Sequence, residues 1–559
     1  MKAAATSVRY SVVTVVAALL LALNFYVTKV FVVLGSPMLF ALALLGQIIL
    51  IIFFLYNLIR ALATPEKIAK SLLDSIWAGL KTNPYVKDIR ESKSPLLLWA
   101  GRRLKKKSPT GLPLTITLFI AFFFLFNFLS ILSAVSSRNS LTQIDLRVLN
   151  LMPNIRTPMQ TSLMRIVTTL ASIQGVIIFL LLAVSLLWFR RQRVVAALFV
   201  LLVGAEELVT FLLKHLIHRL RPGTSLRIVG EDGYSFPSGH VVRATVLFGF
   251  LTYLLYRSYK SKKARILTLI VYFLAVFLVA VSRIYLGVHY PTDVWASFLL
   301  GCAILTFTIG LIEIQIRYAK DGTQTFSVAN KSLLVVPVVL VVFAISAAST
   351  LIPLQQVFIT PTTITLQNID ARSITKLPLY SETLTGSRME PINFIYVGNE
   401  AQIAGIFTKH GWYRADKSTV SNTLKAIAVG FQGKQYLTAP VTPSYLNYQP
   451  ESLAFQHPTA THSLKQRHHT RIWRTNYVLA DGRQIWVATA SFDQGIEFVG
   501  AARLPTHHID PNIDGERGFI INSLNITANF VDVVPPELGK NASGDSFFTD
   551  GKAELVYLK

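Results

Sequence analysis

The stretch Ile266–Ile314, ILTLIVYFLAVFLVAVSRIYLGVHYPTDVWASFLLGCAILTFTIGLIEI, decides the fold. Two apolar runs, each of a length suited to crossing a bilayer's hydrocarbon core, flank the polar break SRIYLGVHYPTD, Ser282 to Asp293. Such a break between spans has to sit at a membrane boundary, because an unpaired polar backbone is too costly inside lipid. The same alternation extends outward along the chain. Apolar windows lie near Tyr10–Val33, Met38–Leu58, Leu114–Val135, Ile173–Phe189, Val194–Leu213, Val241–Tyr256, Ile266–Val281, Val294–Ile316 and Leu333–Leu351, which predicts about nine spans. The first is long for a signal sequence and is followed by no small-x-small cleavage site, so it reads as an uncleaved anchor. With 52% hydrophobic and 15% charged residues and a mean hydropathy of +0.49, the chain is too apolar for a soluble protein of 559 residues.

A net charge of +25 raises the question of nucleic acid. The basic residues are grouped, however, in Arg60–Lys107 (ending GRRLKKK), in RRQR at 190–193, in RSYKSKKAR at 257–265 and from Arg317 onward. Threading nine spans puts all four groups on one side, and the positive-inside rule makes that side cytoplasmic. The N-terminus is then cytoplasmic, and the residues after Leu351 lie on the outer face, which is the periplasm if the membrane is a bacterial inner membrane. Topology signals and attraction to anionic lipid account for the charge, and no zinc-finger or RNP pattern points to nucleic acid. The segment from Lys67 to Lys107 is amphipathic and basic, as expected of a stretch lying along the inner membrane surface. Cys302, the only cysteine, lies in a predicted span and leaves no intrachain disulfide.

Near residue 355 the long apolar runs stop. The remainder is long enough for one domain with its own core. NFIYVG (393–398) predicts a strand, Glu400 to His410 a helix, and TNYVLADGRQIWVATA a hairpin turning at Asp481-Gly482. The fold expected is an all-α polytopic membrane helix bundle followed by a soluble α+β domain. Its parts are 1–110 (two spans and the basic connector), 111–355 (the catalytic bundle) and 356–559 (the outer domain).

Three polar clusters fall in loops on the predicted outer face: KHLIHRLRP from Lys214, PSGH at Pro237–His240, and SRIYLGVHYPTD. Phosphoryl transfer without metal needs fixed cations, N–H donors, a nucleophile and an acid. Lys214, Arg221 and Arg283 supply the cations. Ser238 and Gly239 stand at a helix start, where amides face an anion. His240 and His289 remain, and Asp293 follows His289 by four residues, one helical turn.

The pattern Lys-x6-Arg-Pro, Pro-Ser-Gly-His, Ser-Arg-x5-His-x3-Asp resembles the three-part signature of the type 2 phosphatidic acid phosphatase superfamily, which includes the vanadium haloperoxidases. Every signature position is matched, over about residues 110–320. The resemblance implies a lipid phosphate or diphosphate phosphatase needing no cofactor, with a membrane lipid phosphate as its partner. It implies His289 as nucleophile forming a phosphohistidine, Asp293 as its orienting partner, and His240 as acid. Lys214, Arg221, Arg283, Ser238 and Gly239 would hold the phosphoryl oxygens. His215, His218, Arg219 and Arg227 carry no signature and read as interfacial side chains. Two other readings are a vanadate-dependent oxidant, against which membrane embedding argues, and a pseudoenzyme binding an envelope partner through the outer domain, against which the intact histidines argue.

In the outer domain KHGWYRAD (409–416), QRHHTRIW (466–473) and THHIDPNIDGERGFI (506–520) resemble the C-terminal domain of LssY-type membrane proteins, which implies no settled activity. His507, His508, Asp510 and Asp514 are of metal-ligating types, but adjacent residues on a strand face opposite ways, which favours structural roles and no metal. Trp412, Trp473 and Trp486 are expected in the core.

Overall fold

Apolar sequences of bilayer length form helices here because only a helix pairs every backbone group within one segment. The computed structural model describes residues 110–318 and 363–558, apart from short gaps, and a few residues between 99 and 108. The spans expected at Tyr10–Val33, Met38–Leu58 and Leu333–Leu351, and most of the basic connector, lie outside the described residues. The described residues divide into two compact units, one of 110–142 with 156–318, the other of 143–155 with 363–558.

The first unit is a helical bundle. Its described helices are α1 (Leu112–Ser136), then, after an intervening helix α2 (Ser140–Ile155), α3 (Pro158–Thr169), α4 (Ile173–Phe189), α5 (Arg193–Ile217), α6 (Gly239–Ser258), α7 (Lys262–Tyr285) and α8 (Pro291–Tyr318). Five of them, α1, α5, α6, α7 and α8, are long and apolar enough to cross a membrane. The expected span at Ile173–Phe189 has 17 residues and qualifies only together with α3, from which it is bent by 49°. The described part thus holds five or six candidate spans, and the nine expected are not shown, three of them lying outside the described residues.

Cores and contact surfaces follow from residue size. Phe199 of α5 stacks on Phe250 of α6 at 5.0 Å. Close approach of α6 and α8 depends on glycine: a Cβ on Gly301 would meet Thr245 at 2.7 Å, and one on Gly249 would meet Leu305 at 2.3 Å. Small residues at such contacts let helices pack without help from water. Outward faces stay apolar, with Phe119 72% and Leu201 66% exposed, as lipid contact requires.

Chain direction puts the two chemistries at opposite ends. Helix α5 runs from Arg193 to Lys214, α6 from His240 to Arg257, α7 from Lys262 to Arg283, and α8 from Asp293 to Arg317. Arg193, Arg257, Lys262 and Arg317 mark one end, and the motif residues share the other.

The second unit is a mixed α/β domain around a nine-stranded sheet: β1 (Ile364–Leu366), β2 (Phe394–Val397), β3 (Tyr413–Arg414), β4 (Leu453–Pro458), β5 (Arg467–Leu479), β6 (Gln484–Val499), β7 (Leu504–Ile509), β8 (Phe530–Asp532) and β9 (Lys552–Tyr557). The strand order is β8-β9-β2-β6-β5-β4-β3, with β1 beside β5 and β7 beside β6. Strands β5 and β6 form the expected hairpin, and Gly482 at its turn has φ +84°. Helices α9 (Glu400–Lys409) and α10 (Val420–Phe431) follow β2 and β3, and α11 (Ile513–Ser523) follows β7. Trp412, Trp473 and Trp486 are at most 3% exposed.

Gln143–Ile155 lies inside the stretch 111–355 expected from sequence to be one domain, yet groups with the C-terminal residues. Arg147 of α2 is 2% exposed, pairs with Glu382, and lies 4.7 Å over the Tyr448 ring. Its guanidinium comes so close to Gly386 that a Cβ there would be 2.7 Å away. Asn150 donates to the Tyr448 carbonyl at 2.8 Å.

Candidate active site

The loop ends of α5, α6, α7 and α8 bring all the signature residues to one end of the bundle. Phe236, fully buried against Phe128 of α1 at 6.0 Å, seats the segment that precedes Ser238. Ser238 is the N-cap of α6, and its N–H donates to Ser297 Oγ at 2.7 Å. Its own hydroxyl is buried and has no hydrogen-bond partner among the described residues. The first amides of α6, including that of Gly239, have no partner within the helix, so this end presents donors to an anion.

The α7–α8 turn needs Gly287. With φ +76°, it lies so close to the Leu226 carbonyl that a Cβ would be 2.1 Å from the oxygen. That contact brings the segment after α5 against the turn carrying His289.

His289 is 1% exposed. Its Nδ1 lies 2.8 Å from the Ser235 carbonyl, and its Nε2 lies 3.1 Å from Arg221 Nη1. A carbonyl only accepts and a guanidinium only donates, so the proton sits on Nδ1 and Nε2 carries the lone pair. Asp293 Oδ2 stands farther off, 3.5 Å from Nδ1. The nearest group fixing the tautomer is therefore the Ser235 carbonyl, a main-chain atom no motif could reveal. Burial, with the charges of Arg221 and Arg283, holds the imidazole well below its usual pKa. It stays a neutral base below the pH at which an ordinary histidine gains its proton.

Asp293 is fully buried and is held by the Tyr290 N–H at 2.9 Å and by Arg219. Arg219 also donates to Thr292 Oγ1 at 2.8 Å and lies 4.1 Å over the Tyr290 ring. The expectation that Arg219 is merely interfacial is corrected: it ends inside the site because His218, at φ +51°, turns the chain inward after α5. His215 packs tilted against Phe211 at 4.2 Å and edge-on to Tyr234. Arg227 donates to the Glu231 carbonyl at 3.2 Å.

Arg221 also binds the Val288 carbonyl at 3.0 Å and the Asp232 and Gly233 carbonyls. Lys214 Nζ donates to the Tyr234 carbonyl at 3.0 Å, and Arg283 donates to Thr168 Oγ1 at 2.6 Å. Between the cations stands Glu231, which the sequence did not single out. Its Oε2 contacts Arg283 and lies 3.2 Å from Arg221, and its Oε1 lies 3.6 Å from His240 Nδ1. Burial acts to raise its pKa, but Arg283 and Arg221 outweigh that and hold it at about 2. The carboxylate stays charged and occupies the seat suited to an anion's oxygens. The acidic pair Glu231-Asp232, in the segment between two cationic motifs, was the signal in the sequence. Glu231→Gln is expected to tighten inhibition by inorganic vanadate about tenfold, since a competing anion is removed; weaker inhibition would show that the carboxylate organises the cations rather than competing for them.

Around the two histidines stand Lys214, Arg219, Arg221, Arg243 and Arg283 against Glu207, Glu231 and Asp293, an excess of positive charge. Such a cluster can bind a dianion, offer it a nitrogen nucleophile and stabilise charge on its oxygens.

In the outer domain the described candidate ligands each hold a different partner. His508 pairs with Asp545 at 2.8 Å, Asp510 accepts from Asn512 N–H at 2.7 Å, and Asp514 accepts from Thr549 Oγ1 at 2.9 Å. The side chain of His507 lies outside the described residues.

Comparison with known proteins covers both units. The PAP2 superfamily profile matches residues 193–317, which contain every signature residue, and the LssY C-terminus profile matches 374–553. Phosphatidylglycerophosphatase B of Bacillus subtilis (strain 168) is 31% identical over 198 residues, 35% of this chain and 97% of that protein. Its namesake from Haemophilus influenzae is 41% identical over 89 residues, 15% of this chain and 34% of that protein. The crystal structure of a transmembrane PAP2 type phosphatidylglycerolphosphate phosphatase from Bacillus subtilis has 26% identity, spans 35% of this chain and 96% of its own, and gives a TM-score of 0.33. Three signature motifs at one end of a helical bundle, and a relative aligned over nearly its whole length, place the chain in the PAP2 superfamily, as a membrane lipid phosphate phosphatase with an LssY C-terminal domain.

Proposed function

We propose that the chain hydrolyses the terminal phosphomonoester or diphosphate of a membrane lipid through a phosphohistidine on His289, with no metal needed. The observation that carries this reading is the lone pair of His289 Nε2, fixed by the Ser235 carbonyl on Nδ1 and facing Arg221 at 3.1 Å. Nε2 attacks phosphorus, the P–N bond forms, and the P–O bond to the lipid breaks. His240 gives its proton to the leaving oxygen. Water then attacks the phosphohistidine while His240 takes back a proton, and inorganic phosphate leaves. Lys214, Arg221 and Arg283, with Ser238 and the Gly239 amide, hold the phosphoryl oxygens; Asp293 supports the turn bearing His289.

The relatives named phosphatidylglycerophosphatase B make phosphatidylglycerophosphate the first substrate to try. Phosphate release by the purified full chain from that lipid, undecaprenyl diphosphate, phosphatidic acid and lipid A phosphates tests the reading. Release that persists in EDTA supports it, because fixed cations take the metal's electrostatic role. No release from any of them, or strict dependence on a divalent ion, overturns it.

The site faces the outer side, and the bundle of 111–355, the basic region 1–110 and the outer domain 356–559 divide the work. The outer domain selects or presents substrate, or binds an envelope partner. Support for the orientation comes from the basic loops, which share the end opposite the site. A cysteine at exposed Ser261 is expected to be shielded from an impermeant thiol reagent in intact cells, and one at exposed Lys417 to react once the reagent passes the outer envelope. The reverse labelling overturns the orientation.

A further inference from the structure

One cation near the site belongs to none of the three motifs. Arg243 lies on α6 three residues after His240, on the same face of the helix. Its side chain folds back toward the helix start, so that a Cβ on Gly239 would lie 3.2 Å from Nη2. Glu207 of α5 holds the guanidinium in a two-pronged pair, with Nη2 to Oε2 at 3.0 Å and Nε to Oε1. Such a pair fixes both position and plane, and it leaves Nη1 free of the fork. Glu207 precedes Lys214 by seven residues, about two turns toward the middle of α5. The Arg243–Glu207 pair therefore lies on the bundle-centre side of the phosphoryl seat, in the direction in which a lipid's chain must run.

The phosphoryl group that reacts already has Lys214, Arg221 and Arg283 for its oxygens. A fourth cation on the leaving-group side is of little use when the leaving group is a neutral alcohol. It matters when the leaving group is itself a phosphate. In an in-line displacement the bond to the leaving group points away from the attacking His289 nitrogen, toward the proton donor His240. The group just beyond His240 along α6 is Arg243.

Building on the phosphatase reading above, we propose that Arg243, held by Glu207, binds the second phosphate of a lipid diphosphate and selects diphosphates over monophosphates. His289 Nε2 attacks the terminal phosphorus, the P–O–P bridge breaks, and the bridging oxygen leaves with the lipid monophosphate, protonated by His240. Arg243 is a specificity residue: it meets the phosphate that stays on the lipid.

The test compares polyprenyl diphosphate with polyprenyl monophosphate of the same chain length, using the full chain in detergent. For Arg243→Ala, kcat/KM on the diphosphate should fall about thirtyfold, and on the monophosphate less than threefold. Arg243→Lys, which keeps the charge without the fork, should lie between. Glu207→Gln should raise KM for the diphosphate more than it lowers kcat. Equal losses on both substrates in Arg243→Ala and Arg243→Lys, or no loss on the diphosphate, overturn the proposal. Wild-type protein that hydrolyses the monophosphate but not the diphosphate overturns it while leaving the phosphatase reading standing; hydrolysis of neither overturns both.

Discussion

Replacing His289 with alanine is expected to lower turnover about ten-thousand-fold, because the variant loses the only step that splits the reaction in two. The cations that bind phosphate remain, so vanadate should still inhibit what activity is left, with an affinity near that of the wild type. A brief incubation with 32P-labelled lipid phosphate, quenched in alkali, should leave an acid-labile label on the wild-type protein and none on His289→Ala. The alternative role for His289, a base acting on water, predicts the same loss of turnover but no label on either protein. Turnover within tenfold of wild type in the variant would refute the assignment.

Arg219→Ala is expected to cost about a hundredfold in kcat. Asp293 is fully buried, and Arg219 supplies its charged partner. Removing one member of a buried pair leaves a charge in low dielectric, at a cost of roughly 3 kcal/mol. The strain falls on the Tyr290–Asp293 turn, which carries His289 on its other side. Arg219 acts through Asp293, so it is a positioning residue. KM should change little, and the double variant Arg219→Ala/Asp293→Asn should lose no more than the worse single variant, since the stranded charge is gone. Arg219→Lys keeps the charge but not the simultaneous contacts with Thr292 and the Tyr290 ring, so partial recovery is expected. Activity within threefold of wild type for Arg219→Ala would show that Tyr290 N–H alone holds the carboxylate.

These two residues also mark how far the sequence could be read. His289 stands in a motif whose members keep a fixed spacing along the chain, so its place among the candidate residues is legible in one dimension. Arg219 has no fixed place in that motif, and its role depends on a left-handed turn at His218 that no residue pattern announced. Glu231 lies in the segment between α5 and α6, and only folding shows that it faces Arg221 and Arg283. Apolar length foretold the helices, but not that Ile173–Phe189 is too short alone and continues a bend from Pro158–Thr169. In the outer domain Asp481-Gly482 announced a local hairpin through its turn chemistry. The parallel pairing of β9 with β2 and of β1 with β5 joins strands distant in sequence, and no local signal encodes it.

The seat of Arg147 bears on the order in which the chain can finish folding. Helix α2 is synthesised before α3 to α8, whereas Glu382, Gly386 and Tyr448, which enclose Arg147, come after them. A ribosome must therefore release the whole bundle sequence before this guanidinium can meet Glu382 and Tyr448. Cutting the chain at residue 359 would leave both halves defective in complementary ways: the amino-terminal piece would keep an arginine without its partner, and the carboxy-terminal piece would lack the cation that Glu382 and Tyr448 enclose. A secreted version of the C-terminal region would need a grafted copy of Ser140–Ile155 to supply it.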